Sequence, residues 1–290
     1  MTIGVPVHNG AQYIIECLTA LSKQSHSNFE VLVFENKSTD GTDHLVQGFC
    51  AADPRFKFFP SDEFLSMFDN FMRAFRGVSG RGEYFALRAY DDLSNDDYFE
   101  KLTDELVQRP DCGLAASTVQ LFEDSDGACH PIEPRILKVD AQILKPENWG
   151  RFERPFKRIT FPASWFYGVY RSSMSQNIFD ALTTYPNMWA GDRLIVLKYL
   201  FTESLVYVPK TTFFCRTGSA SYVHYTEKGI WQKIKARSRY FRAIWEYRHG
   251  LSEDIEFSSF AYFALCFKIS ASDTTYSVEN IIKMVLGLRK

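Results

Sequence analysis

No run of apolar residues in this 290-residue chain approaches the ~20 needed to cross a bilayer; the longest candidates, around 257–269, are short and interrupted. The opening Met1-Thr-Ile-Gly-Val-Pro-Val reads as a strand, with no basic segment ahead of an apolar core. No signal peptide is expected, and the chain reads as cytoplasmic. Six cysteines (Cys17, Cys50, Cys112, Cys129, Cys215, Cys266) form no C-x-x-C pair and no zinc spacing, which leaves reduced thiols used as small core groups. An excess of either charge is also missing. With 33 Lys and Arg against 35 Asp and Glu the net charge is −2, and the pI is ≈ 6.3, so no basic field calls for nucleic acid. Glycine-rich phosphate loops are absent too. The turn after the first strand is Pro6-Val7-His8-Asn9, neither G-x-G-x-x-G nor G-x-x-x-x-G-K-[ST]. A diphosphate held in this chain therefore needs a cation in place of a backbone cradle.

Aromatic residues are abundant. With 26 Phe among 290 residues, they are enough for aromatic-lined clefts as well as a core. The pattern alternates strands and helices. Residues 3–7, 29–34, 55–60 and 83–89 read as strands. Between them lie helices over 10–24 (apolar face Ile14, Cys17, Leu18, Leu21), through Leu45, Val46 and Phe49, and over 64–75 (Phe64, Phe68, Phe71, Met72, Phe75). Ser94 or Asn95 is placed to cap a further helix that stops at Pro110. This rhythm predicts a parallel, doubly wound α/β sheet. Beyond residue 110 it changes. Strands are expected over 114–122 and 164–170, a polar turn at 123–127, an irregular substrate-facing stretch at 131–160, a helix over 193–201 and an extended segment over 205–215. Helices follow near 226–248, 255–270 and 277–288.

Asp91-Asp92, at the end of Glu83-Tyr-Phe-Ala-Leu-Arg-Ala-Tyr-Asp-Asp, carries most of the functional information. Unpartnered charge is expensive inside an apolar strand, so the pair belongs where the strand leaves the sheet, and open α/β sheets bind ligands there. Hard cations such as Mg²⁺ or Mn²⁺ bridge one or two carboxylates to a substrate diphosphate. The competing reading is that the two acids simply open the next helix, at its positive dipole end.

Several segments taken together resemble glycosyltransferase family 2, the inverting nucleotide-sugar transferases of the GT-A fold. Ile3-Gly-Val-Pro-Val-His-Asn is similar to its "IPTYN" opening, and Phe34-Glu-Asn-Lys-Ser-Thr-Asp-Gly-Thr to "VDDGSTDGT". Gly82-Glu-Tyr-Phe-Ala-Leu followed by Asp91-Asp92 resembles "GEYIAFLDADD". Gly168-Val-Tyr-Arg-Ser, Ala190-Gly-Asp-Arg-Leu, Tyr207-Val-Pro and Phe214-Cys-Arg then follow in the family's order, so the likeness spans roughly residues 1–220. It implies a GT-A catalytic domain, a Rossmann-like, mostly parallel mixed sheet flanked by helices, over 1–220. Residues 1–110 form its nucleotide half and 111–220 its acceptor half, with a helical extension over 221–290.

The resemblance also implies roles. Pro6, Val7, His8 and Asn9 would lie against the nucleoside. Glu35 would stand where the family keeps the aspartate that accepts a pyrimidine imide N–H. Asp91 would bind the metal with Asp92 beside it, and Asp192 would be the general base. The chain departs from the pattern at Ala89, where the family has its first acidic residue, and at Glu35, which is one methylene longer. The implied reaction is metal-assisted (Mn²⁺ or Mg²⁺) transfer from a nucleoside-diphosphate sugar, UDP-linked, to a hydroxyl of a glycan or lipid-linked glycan, in the building of a bacterial surface polysaccharide.

Other residues carry two readings each. Asn70 and Arg73 either reach a bound nucleotide or form a solvated helix face. Arg216 either grips a phosphate oxygen or pairs with a structural carboxylate. Trp165 and Trp189 either stack on an acceptor sugar or pack in the core. His224 either completes a metal shell or is structural. Residues 228–248 carry seven Lys and Arg interleaved with Trp231, Tyr240, Phe241 and Trp245. That segment either lies on an anionic membrane surface as a peripheral contact or packs on the catalytic domain. Two other functions share parts of this sequence: a catalytically inactive nucleotide- or glycan-binding protein, and a sugar-1-phosphate nucleotidylyltransferase, whose Gly-rich basic loop is absent at Pro6–Asn9.

Overall fold

The computed structural model describes residues 1–125, 128–130, 161–175 and 191–217. Its centre is β1 (Thr2–Val7), buried along its whole length, as a strand covered on both faces of a parallel sheet must be. Parallel β2 (Glu30–Glu35) lies on one side of it, followed by β3 (Phe56–Pro60). On its other side lies parallel β4 (Tyr84–Leu87). Helices α1 (Ile14–Ser22), α2 (Thr42–Ala52) and α3 (Met67–Val78) make the crossovers. The apolar stripe Ile14, Cys17, Leu18, Leu21 is buried as the spacing predicts.

A short β5 (Leu93–Ser94) and α4 (Tyr98–Gln108) lead into a second set of strands: β6 (Leu114–Ser125), β7 (Ala128–His130), β8 (Val169–Arg171) and β9 (Leu205–Thr217). Helix α5 (Gly191–Phe201) precedes β9. The strands join in one sheet of order β3-β2-β1-β4-β8-β6-β9-β5, with β7 paired to β6. β8 runs antiparallel to β4 and β6, so the parallel half continues into a mixed half. The chain leaves β1 toward β2 on one side and returns to β4 on the other. The carboxyl ends of β1 and β4 therefore flank the switch point where such sheets open a crevice. Among the described residues, no helix is long and apolar enough to cross a membrane.

Four local expectations are corrected. The third helix begins at Met67, not Phe64, because the Ser66 hydroxyl caps it by accepting from Asp69 N (3.1 Å); Phe64 is left in the preceding loop. Neither Ser94 nor Asn95 caps α4. Ser94 lies in β5, and the Asn95 side chain accepts from Thr212 N of β9 (2.8 Å), which delays the helix to Tyr98. The expected strand over 164–170 is a 3-10 turn over Ala163–Tyr167 followed by β8. Its backbone folds tightly against β6, and a Cβ at Gly168 would stand 2.2 Å from the Ala115 carbonyl oxygen. The strand expected to end at 122 continues to Ser125 and turns into β7. Residues 131–160, Trp189, His224, the segment 228–248 and all of 221–290 lie outside the described residues.

Candidate active site

The loops after β1 and β2 are stitched together by the Ser38–Thr42 segment. Asn9, at φ 50°, donates its N–H to Ser38 Oγ (2.9 Å), and its Oδ1 accepts from Thr39 N (2.8 Å). Gly10 N donates to Thr42 Oγ1 and Ala11 N to Asp40 Oδ2. Hydrogen bonds from Thr42 and Ala11 outweigh burial to hold the Asp40 carboxyl below its ordinary value. His8 is oriented by its Nδ1–H, which donates to the Asn36 carbonyl (2.8 Å). Pro6 and Val7 are buried within β1, so His8 and Asn9 present themselves first to anything bound above. Glu35, 3% exposed at the end of β2, accepts from Ser38 N through Oε1 (2.6 Å); Oε2 makes no hydrogen bond to a described residue.

The rim of this pocket is the loop ahead of α3. Asn36 holds it with a reciprocal pair: Nδ2 donates to the Leu65 carbonyl (2.9 Å), and Leu65 N donates to Oδ1 (2.8 Å). On this loop Phe64 is 63% exposed and meets the His8 ring edge-on at 4.9 Å. Asn70 and Arg73 bond to the strand ends beside Glu35. Asn70 Nδ2 donates to the Phe34 carbonyl, and Arg73 donates to the carbonyls of Glu35, Phe59 and Pro60. Both satisfy the ends of β2 and β3 from below, and neither forms a solvated face.

Asp91 and Asp92 stand just past β4, each only 5% exposed. Gly10 lets the Tyr90 ring pack on the β1 loop, where a Cβ would lie 2.7 Å from it, so the acidic loop is held beside the pocket of His8 and Asn9. Arg216 of β9 locks the pair from the other side. Its N–H donates to Asp92 Oδ1 (2.8 Å), its Nε donates to the Asp91 carbonyl (2.7 Å), and its guanidinium pairs with Glu16 between the Tyr13 and Phe122 rings. The structural-carboxylate reading of Arg216 thus has its partner. Arg88 is buried among Tyr98, Phe99 and Phe213 and donates to the Leu93 carbonyl and Ser94 Oγ. Burial, then the charge of Asp91, pushes the Asp92 carboxyl up to about 8, against the opposing pull of Arg88 and Arg216. A desolvated carboxylate pair is a donor set that suits a hard divalent cation. Among the described residues no third His, Cys, Asp or Glu completes a metal cluster.

Asp192 lies in the first turn of α5, its Oδ1 accepting from Arg193 N (2.7 Å). The 3-10 turn Ala163–Tyr167 packs between α5 and the strands. Trp165 is 1% exposed, donates its Nε1–H to the Ser117 carbonyl (2.9 Å), and packs against Phe161 and Tyr207. It is a core residue, and its enclosed rings offer no face to a sugar, which corrects the acceptor-binding reading. Tyr167 stacks on Phe213 (5.4 Å, 7°). Burial, then the charges of Asp92, Asp91 and Asp192, hold its hydroxyl well above the ordinary phenol value. Cys215 neighbours Ser164 and Asp92, and burial keeps its thiol protonated. Phe64 and Tyr167 were missed from the sequence. An aromatic in a strand-to-helix loop was a signal for Phe64; nothing in the spacing marked Tyr167.

A family model, Glycosyl transferase family 2, matches residues 2–181. Among curated proteins, the chain is 24% identical over 243 residues to glycosyltransferase GlyA of Streptococcus pneumoniae serotype 4, covering 82% of this chain and 34% of that protein. It is 24% identical over 128 residues to glycosyltransferase GlyG of the same organism, covering 44% and 41%. The chain thus spans about two fifths or less of these relatives' lengths. Among solved structures, S. aureus TarS 1-349 in complex with UDP-GlcNAc superposes with a TM-score of 0.64 at 13% identity, covering 98% of this chain and 75% of that one. The mannosyltransferase PcManGT from Pyrobaculum calidifontis, in complex with GDP-Man and Mn²⁺, gives 0.56 at 13% identity, covering 100% and 80%. The mixed, mostly parallel sheet with flanking helices is the GT-A fold that the motif order implies. A match over well more than half of the residues, on this fold, means that the chain belongs to glycosyl transferase family 2.

Proposed function

We propose that this chain transfers a sugar from a nucleoside-diphosphate donor, UDP-linked, to a hydroxyl of a glycan or lipid-linked glycan, with inversion. The supporting observation is the buried pair Asp91-Asp92 past β4, at the switch point of the sheet, with Asp192 opening α5, the helix that packs on the 3-10 turn Ala163–Tyr167. The two ends of a displacement, leaving group and incoming hydroxyl, need carboxylates in those two places. The acidic side sits beside the pocket of His8, Asn9 and Glu35, where the nucleoside goes; the relatives solved with UDP-GlcNAc and GDP-Man bind donors of this class. Glu35 Oε2 is the acceptor for a pyrimidine imide N–H, which favours uracil. Residues 1–220 then form the catalytic domain and 221–290 an extension.

In this reading Asp192 takes the proton of the acceptor hydroxyl as its oxygen bonds to the anomeric carbon, and the bond from that carbon to the diphosphate oxygen breaks on the opposite face. Asp91 and Asp92 are the residues that would hold a divalent cation, which would supply Lewis-acid stabilisation of the charge on the departing diphosphate. Arg216 fixes both aspartates, and Tyr90, packed over Gly10, keeps their loop against the nucleoside pocket. The test is release of nucleoside diphosphate from a panel of UDP-, GDP- and TDP-sugars, with and without Mn²⁺ or Mg²⁺. Metal-dependent turnover of a UDP-sugar is expected, with Asp192→Asn slowed ~10²–10⁴-fold, the usual contribution of a positioned base. Preference for a GDP-sugar would overturn the uracil assignment. Binding of a UDP-sugar without any transfer would leave an inactive binding protein.

A further inference from the structure

Tyr167 has no part in the family motifs, yet its turn packs on α5, which carries Asp192, and its ring stacks on β9, whose Arg216 holds Asp91 and Asp92. Its ring cannot swing away, because it is stacked on Phe213 of β9 and meets Phe166 at 5.2 Å. Its backbone is held as firmly: the Tyr167 carbonyl accepts from Tyr98 Oη (3.1 Å), and the next residue, Gly168, has no room for a side chain against β6. Three residues earlier on the same turn, Ser164 neighbours Cys215, which in turn neighbours Asp92. Helix α5, with Asp192 in its first turn, packs on the other flank of the turn. The side chain is half-buried, and its hydroxyl makes no hydrogen bond to a described residue. A phenol pinned by its ring, with no hydrogen-bond partner among the described residues, on a turn packed between the helix that carries Asp192 and the strand whose Arg216 holds Asp91 and Asp92, is a donor available to a ligand.

Resting on the transfer reading above, we propose that the Tyr167 hydroxyl donates a hydrogen bond to a ring hydroxyl of the transferred sugar and thereby selects and orients that sugar between Asp91-Asp92 and Asp192. The sugar is the part of the donor that must lie between the departing diphosphate and the base. A rigid donor there discriminates between hydroxyl positions, since a sugar lacking the matching hydroxyl leaves the phenol unpaired. The occupant is therefore a sugar with a free ring hydroxyl that accepts from this phenol.

The experiment pairs Tyr167→Phe, which keeps the stack on Phe213, with UDP, UDP-glucose, UDP-galactose, UDP-N-acetylglucosamine and their monodeoxy analogues, read by calorimetry and by UDP release. Tyr167→Leu is the control for loss of the stack. Tyr167→Phe is expected to bind UDP as the wild type does, and to bind the preferred UDP-sugar and process it about 10-fold less well in kcat/KM. One deoxy position should cost the wild type about 10-fold and cost Tyr167→Phe nothing. If every deoxy analogue loses the same factor in both proteins, or if UDP itself weakens in Tyr167→Phe, the sugar contact is overturned while the transferase reading stands. A wild type that neither binds nor hydrolyses any nucleotide sugar overturns both.

Discussion

Asp92 shows what the site costs the fold. Its carboxyl is held near 8 by burial and by Asp91, against an ordinary value near 4. The unfolded chain therefore ionises this group several units earlier than the native one does. Below about pH 4 both states hold the proton and nothing is lost. As pH rises from 4 toward 8, only the unfolded state gives it up, so stability falls; above 8 the loss is complete. Asp92→Asn keeps an oxygen for the Arg216 N–H but has nothing to ionise. In EDTA its Tm should equal that of the wild type near pH 4.5 and exceed it increasingly up to pH 8, by calorimetry. A constant difference across that range would mean that Asp92 ionises normally. Mn²⁺ or Mg²⁺ should raise the wild-type Tm at pH 8, and Asp91→Asn should abolish that gain, since half of the protein donor set is gone. The acidic pair was legible in the sequence because charge at the end of an apolar strand has few places to go. Asn70 and Arg73 were read as nucleotide contacts or as a solvated face, and sequence cannot show that a helix residue also bonds to the carbonyl ends of β2 and β3.

The connection from the 3-10 turn into β8 joins acceptor-side geometry to the sheet, and Gly168 sets how closely the two approach. A Cβ there would meet a backbone oxygen of β6 at 2.2 Å and the Leu114 side chain at 2.9 Å, so relief requires the turn to lift from the sheet. Gly168→Ala should cost ~1–3 kcal/mol as overpacking does, lowering Tm by several degrees. Because Tyr167 and the packing partner of α5 move with the turn, it should also cut transfer while leaving UDP affinity intact. Unchanged transfer in a destabilised protein would show that the turn only braces the sheet. This stretch is also where sequence reading stopped working. β1, β2 and β4 carry apolar runs, and β3 is apolar but for Lys57, patterns that periodicity detects. A five-residue 3-10 turn with Trp165 and Phe166 buried presents the same aromatic run as a strand, and β5, two residues long, has no period at all. Ser94 and Asn95 looked like caps because nothing local reveals that β9, more than a hundred residues later, pairs with them.

The sheet as a whole divides the work. Glu35 ends β2, while Tyr167 precedes β8, three strands along the order β2-β1-β4-β8, a separation of about 14 Å at the usual strand spacing. In the proposed reading nucleoside recognition and proton removal therefore rest on different elements, the end of β2 and the first turn of α5. The motif order announced that division, since both halves carry family landmarks, but which loops face each other emerges only from the strand order. Groups so separated should act independently. In Glu35→Gln the amide oxygen still accepts from Ser38 N, which turns an NH₂ toward the imide N–H of uracil. Two facing donors should weaken UDP binding about 10-fold and leave kcat at saturating donor nearly unchanged. Asp192→Asn should do the reverse, lowering kcat with UDP affinity intact, because a base contributes in the transition state and little to donor binding. In the double variant the two losses in kcat/KM should multiply. A double variant no worse than Asp192→Asn alone would mean that Glu35 and Asp192 act as one unit, through a donor that bends or a sheet that shifts when the nucleoside seats, and the separation of duties across the sheet would have to be abandoned.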